Sequence, residues 1–164
     1  MSNKMHAEQL KAVPVRRRSA ARLASIQITY QAMITGESAV KFAPQFLLHY
    51  AADVSRSFRV KDFDKDHLID LYSGVSSTTE DLDCMISKAL TVGWSLERLA
   101  RIELAVLRCG VFELTSMPHI PVRAVISEYA ALSDVCGCDV GFVNALLDGL
   151  ARSVRFLEMK SKEY

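Results

Sequence analysis

Apolar residues recur at three- and four-residue spacings almost throughout the chain, and alternating strand-like runs are scarce, so the pattern predicts an all-α fold. The first helix is expected from near Arg17 to Ile34, with Leu23, Ile26, Tyr30, Met33 and Ile34 on its core face and Thr35-Gly36 as its stop. Residues 1–15 are polar and mixed and contain Pro14, which reads as a break, so they are expected to be a flexible basic tail. A second helix is expected from Pro44 to Arg56, a third from Asp64 to Val75, and a fourth through Leu82, Met85, Ile86 and Leu90. The stretch from Ser95 to Thr115 is apolar on more than one face and is placed at the centre of the fold. A sixth helix starts at Pro121 and stops at Gly137, and a last one runs from Val140 to Leu157. The connectors are short, so consecutive helices must pack on one another. About seven helices result, in a single domain over residues 16–160 with 161–164 as a C-terminal tail.

Composition supports folding and excludes several classes. The chain has 164 residues, half of them hydrophobic, which suffices for the core of one domain and is too apolar for disorder. No apolar run approaches the length of a bilayer span, and the first residues lack a secretory apolar region, so a cytoplasmic protein is expected. Cys84 and Cys109 fall within apolar helical patterns and read as small core residues. Cys136-Gly137-Cys138 is too closely spaced for the usual zinc arrangement and lacks a second pair, so no metal is expected.

Catalytic signatures are missing. The glycines form neither a dinucleotide-binding fingerprint nor a phosphate-binding loop, and no nucleophile elbow or zinc-protease motif is present. His49 and Asp53 lie four residues apart on a helix face without a third ligand. Asp62-Phe63-Asp64-Lys65-Asp66 imitates the opening of a calcium loop, but His67 and Ser73 occupy the positions that need Gly and Glu. Helix capping accounts for those acids better. The expected protein is not an enzyme, and no cofactor is implied.

The formal net charge of +1 conceals an asymmetry. Residues 1–22 carry six basic side chains against Glu8, a net of +5, whereas the remainder carries 14 basic and 18 acidic ones, a net of −4. A basic end on an acidic body points to a polyanion at that end, with nucleic acid the leading candidate. Arg16, Arg17, Arg18 and Arg22 concentrate the charge on the lip and first turns of the first helix, and Arg18 and Arg22 share a face. Reading unpaired bases also requires aromatic faces and polar groups, for which Tyr30 and Phe142, beside Asn144, are the candidates.

Four segments together carry a family resemblance. The run Arg16-Arg17-Arg18, then Arg22, Gln27 and Tyr30-Gln31, resembles the opening of the NusB family of bacterial antitermination factors. The stretch from Leu96-Glu97-Arg98-Leu99 through Arg101-Ile102-Glu103 to Phe112-Glu113-Leu114 is similar to that family's central helix. Ile120-Pro121 with Val125-Ile126-Ser127-Glu128, and Phe142-Val143-Asn144-Ala145-Leu146-Leu147-Asp148, resemble its last two motifs in the same order. The resemblance implies two small packed helical bundles and a protein that binds boxA-like single-stranded RNA together with small-subunit ribosomal protein ten (NusE). Such a protein joins the transcription elongation complex and helps RNA polymerase read through terminators in ribosomal RNA operons.

By position, the resemblance assigns Arg16, Arg17, Arg18 and Arg22 to RNA phosphates and places Tyr30, Phe142 and Asn144 at or beside the RNA. Glu97 and Glu103 become the candidates for the ribosomal-protein interface. The segment from Cys136 to Gly141 departs from the family by being shorter and lacking a lysine, which predicts weaker or displaced RNA contact near Phe142. Two other readings stay open at this point: an accessory module related to that of RNA methyltransferases, and a helical protein–protein adaptor whose basic end only confers solubility. The sequence also leaves open a homodimer that covers the RNA surface.

Overall fold

A computed structural model of the chain describes residues 11–161, and every regular element in that span is helical. The all-α expectation agrees with this architecture. The chain divides between Ser76 and Ser77 into two compact units. No helix among the described residues is long and apolar enough to cross a membrane.

The first unit contains α1 (Val13–Thr35), α2 (Ala39–Ser57) and α3 (Lys65–Ser77, its last residue at the division). Helix α1 begins earlier than the sequence suggests, because Pro14 sits in the first turn, where its missing N–H has no partner to lose. Residues 13–15, assigned to the tail from sequence, are therefore helical, and the earlier part of that expected tail lies outside the described residues. From Ser19 to Thr29 every residue of α1 except Gln27 is buried. Ser19, Ala20, Ala21, Ala24 and Ser25 are small enough to let neighbouring backbone approach, and α2 packs along this helix. The helix ends at Gly36, whose φ of 76° lets its N–H return to the Ala32 carbonyl at 2.9 Å.

Helix α2 starts at Ala39 rather than Pro44, so Pro44 lies inside it. The bond it cannot donate would have gone to Val40, and both residues are exposed, where water can serve that carbonyl. Along one side of α2 the rings of Phe42, Phe46 and Tyr50 stack at successive centroid distances of 5.9 and 5.0 Å.

The second unit contains α4 (Thr79–Ala89), a 3₁₀ turn (Leu96–Arg98), α5 (Arg101–Ser116), α6 (Val122–Val135), α7 (Val140–Val154) and α8 (Phe156–Lys160). Helix α5 is buried from Leu104 to Leu114 except at Arg108, with α4, α6 and α7 packed around it. The single helix expected from Ser95 is instead a 3₁₀ turn, an extended pair at Leu99 and Ala100, and α5. Gly110 marks the tightest approach. A Cβ there would lie 3.1 Å from the Leu147 methyls and 3.3 Å from the Tyr129 ring. In the same core the Tyr129 hydroxyl donates to Glu113 Oε2.

Two further polar arrangements join the helices. Arg108 makes a bidentate pair with Asp83, both bonds 2.7 Å, linking α5 to α4. Both groups are largely shielded from water, so Asp83→Ala should cost about 1.5–3 kcal/mol in denaturant unfolding, a charge-assisted pair's worth. Arg155 interrupts the helix expected to reach Leu157, because its guanidinium turns in toward the C-terminal end of α5. It donates to the carbonyls of Glu113, Leu114, Met117, Pro118 and Ile120 and pairs with Glu158 at 2.8 Å. Glu158 also accepts the Val122 N–H at the start of α6.

Candidate nucleic-acid interface

The three consecutive arginines stand on the second turn of α1, each half-buried. Their donors are not equivalent. Arg16 donates through Nε to the Lys11 carbonyl and through Nη1 to the carbonyls of Phe58 (3.2 Å) and Arg59 (2.9 Å). Arg17 pairs with Asp62 at 3.0 Å and reaches the carbonyls of Asp62 and Phe63, while its own carbonyl accepts the Asp64 N–H. The Arg18 side chain makes no hydrogen bond or ion pair among the described residues. The loop from Phe58 to Asp64 is thereby tied to the basic end of α1.

Arg22 is placed differently from its expected role. It is 1% exposed, so its guanidinium lies in the core and does not present itself to a phosphate at the surface. Its i, i+4 relation to Arg18 gives a shared helix face, but the depth of that face changes within one turn as α1 enters the unit. Tyr30 is half-buried and lies twelve residues beyond Arg18, about 18 Å along the helix axis. The acids that imitate a calcium loop have structural tasks: Asp62 balances Arg17, and Asp64 accepts the His67 N–H at the start of α3. No group of three or more His, Cys, Asp or Glu among the described residues is placed to hold a metal.

Phe142, Asn144, Glu97 and Glu103 belong to the second unit. Asp139 caps α7 by accepting the Phe142 N–H at 3.0 Å, and its own N–H is 3.3 Å from Glu103 Oε2. Glu103 thus braces the turn that presents Phe142, a link between two positions that the sequence treats as separate sites. Phe142 is half-buried and Asn144 exposed. Glu97 is exposed in the 3₁₀ turn, where its backbone N–H, the Ser95 hydroxyl and Arg101 hold its carboxyl below the usual range.

Cys136 and Cys138 flank Gly137, whose φ of 74° turns the chain out of α6. Burial, reinforced by Cys136 and Glu103, pushes the Cys138 thiol up to about 11, and burial raises Cys136 as well. At pH 8 only about 0.1% of Cys138 is then thiolate. Iodoacetamide should therefore label exposed Cys84 first and Cys138 far more slowly, as followed by peptide mass spectrometry. The folded chain holds the Cys138 proton more tightly than the unfolded one. Its stabilising share is present below the ordinary thiol pKa and is lost as pH rises toward about 11.

The described residues thus form two small all-helical units, with the arginine run on the first helix, the architecture of a small all-α protein. The NusB family model matches residues 19–152, and the chain belongs to that family. It is 34% identical over 140 residues to the transcription antitermination protein NusB of Sphingopyxis alaskensis, covering 84% of this chain and 94% of that protein. It is 36% identical over 141 residues to the same-named protein of Rhodopseudomonas palustris strain BisB18, covering 85% and 83% respectively. Among solved structures, NusB of T. maritima superposes with a TM-score of 0.69 at 25% identity, over 83% of this chain and 91% of that one.

Proposed function

We propose that the chain is a cytoplasmic transcription antitermination factor that binds boxA-like single-stranded RNA together with small-subunit ribosomal protein ten. It acts as an adaptor without catalytic activity, delivering that pair to the transcription elongation complex so that RNA polymerase passes terminators. The observation that carries this reading is the family match across the fold, combined with an α1 that carries Arg16, Arg17 and Arg18 on its second turn. In this reading Arg18 contacts phosphate directly, Arg16 and Arg17 combine phosphate contact with holding the 58–64 loop, and Tyr30, Phe142 and Asn144 flank the bases. Glu97 and Glu103 meet the ribosomal protein, with opposite charge supplying orientation and on-rate more than affinity.

Terminator read-through tests the reading. Adding the chain and ribosomal protein ten to purified RNA polymerase and its other elongation factors should raise read-through on a template carrying boxA upstream of a terminator. No increase over a template with scrambled boxA would refute it.

A further inference from the structure

The arginine run accounts for less free cation than its charge suggests, and the loop it holds carries more. Arg17 is neutralised by Asp62, and Arg16 is held by three carbonyls. The loop so anchored exposes Arg59 and Lys61, neither of which has a hydrogen bond or ion pair through its side chain among the described residues. Of the loop's carboxylates, Asp62 pairs with Arg17, while Asp64 accepts the His67 N–H and keeps its charge at the start of α3. Arg59 also has a φ of 54°, the only non-glycine residue in the left-handed region among those described. A side chain with a Cβ adopts that conformation seldom, and here Arg16 binds the carbonyl of the residue that adopts it.

We infer that Arg59 and Lys61, on the loop that Arg16 and Arg17 pin to the end of α1, form with Arg18 a single cationic surface for the phosphodiester backbone of the bound RNA. The inference rests on the RNA-binding reading above and enlarges its site by two residues outside the arginine run. Single-stranded RNA fits the surface because flexible, exposed cations track a backbone without demanding a fixed helical geometry. Arg16 and Arg17 then act as positioning residues for the loop as well as sources of positive potential.

Arg59→Gly combined with Lys61→Gln isolates the charges. Glycine accepts the left-handed backbone that arginine tolerates, so the loop keeps its shape while both cations are removed. Fluorescence anisotropy of the full chain with labelled boxA-like RNA, titrated over several salt concentrations, gives the affinity and its salt slope. Two lost phosphate contacts should weaken binding roughly tenfold at about 0.15 M salt and flatten the slope by about 1.4. The thermal midpoint should stay at or above that of the parent chain. If the parent binds RNA with a steep salt dependence and the variant keeps the same affinity and slope, the inference fails and the RNA-binding reading stands. If the parent itself does not bind the RNA, both fail.

Discussion

Replacing Arg155 by alanine is expected to lower the stability of the chain by about 3–5 kcal/mol, the largest single-residue effect foreseen here. Its side chain is 8% exposed and donates to five carbonyls and one carboxylate, so its removal strands several acceptors at once. Those acceptors lie in the last turn of α5 and the Met117–Ile120 connector; Glu113 and Met117 keep the Met117 and Ile120 N–H groups as donors, whereas Pro118, four residues on, has no N–H to offer Leu114. Arg155→Lys should recover little, because one ammonium has three donors and no planar fork to spread across carbonyls on two sides. The expected reading is a fall in thermal midpoint of roughly 10 °C. A loss below about 1 kcal/mol would mean that water replaces the guanidinium without cost.

The second large effect concerns binding. Arg17→Glu with Arg18→Glu should reduce affinity for boxA-like RNA roughly a hundredfold at about 0.15 M salt, since each reversal removes a favourable charge and adds a repulsive one. Association with ribosomal protein ten should survive, because the proposed contacts Glu97 and Glu103 are unchanged in this variant. Arg22→Gln provides the contrast: as a buried residue it should lower stability before it alters the salt dependence of RNA binding. Unchanged RNA affinity in the Arg17/Arg18 variant would show the arginine assignment to be wrong.

Helical periodicity made the all-α class and most of the helices legible, and its failures share a cause. A stripe of apolar residues reports which side of a helix is buried but not whether the backbone stays helical between stripes. Leu96, Leu99 and Ile102 keep helical spacing across an extended pair, so the 3₁₀ turn and α5 read as one helix. Leu146, Leu150 and Val154 point on toward Leu157, yet Arg155 breaks the run to reach carbonyls some forty residues earlier in sequence. Prolines misled in the opposite direction: Pro14 and Pro44 suggested boundaries where α1 and α2 run through them. Helix α1 was also undervalued as core, because Ser, Ala and Arg22 supply burial that apolar counting does not register.

The candidate site was partly legible for similar reasons. The Arg16–Arg18 cluster is a local signal, visible as soon as charge is divided by position. Arg59 and Lys61 were hidden within the acidic body, and the contacts that Arg16 and Arg17 make with residues 58–64 tie their loop to the start of α1. The bracing of Phe142 by Glu103 through Asp139 depends on packing between α5 and the start of α7, a pairing that no sequence spacing announces.

In the proposed function the basic end of α1 binds a specific single-stranded RNA, and the ribosomal protein strengthens this binding. Anisotropy of labelled boxA RNA against a scrambled control, with and without ribosomal protein ten and at two salt concentrations, tests it most directly. Weak, salt-sensitive binding of boxA by the chain alone is expected, and tighter, sequence-selective binding once the partner is added. Equal affinity for the two RNAs, with no gain from the partner, would contradict it.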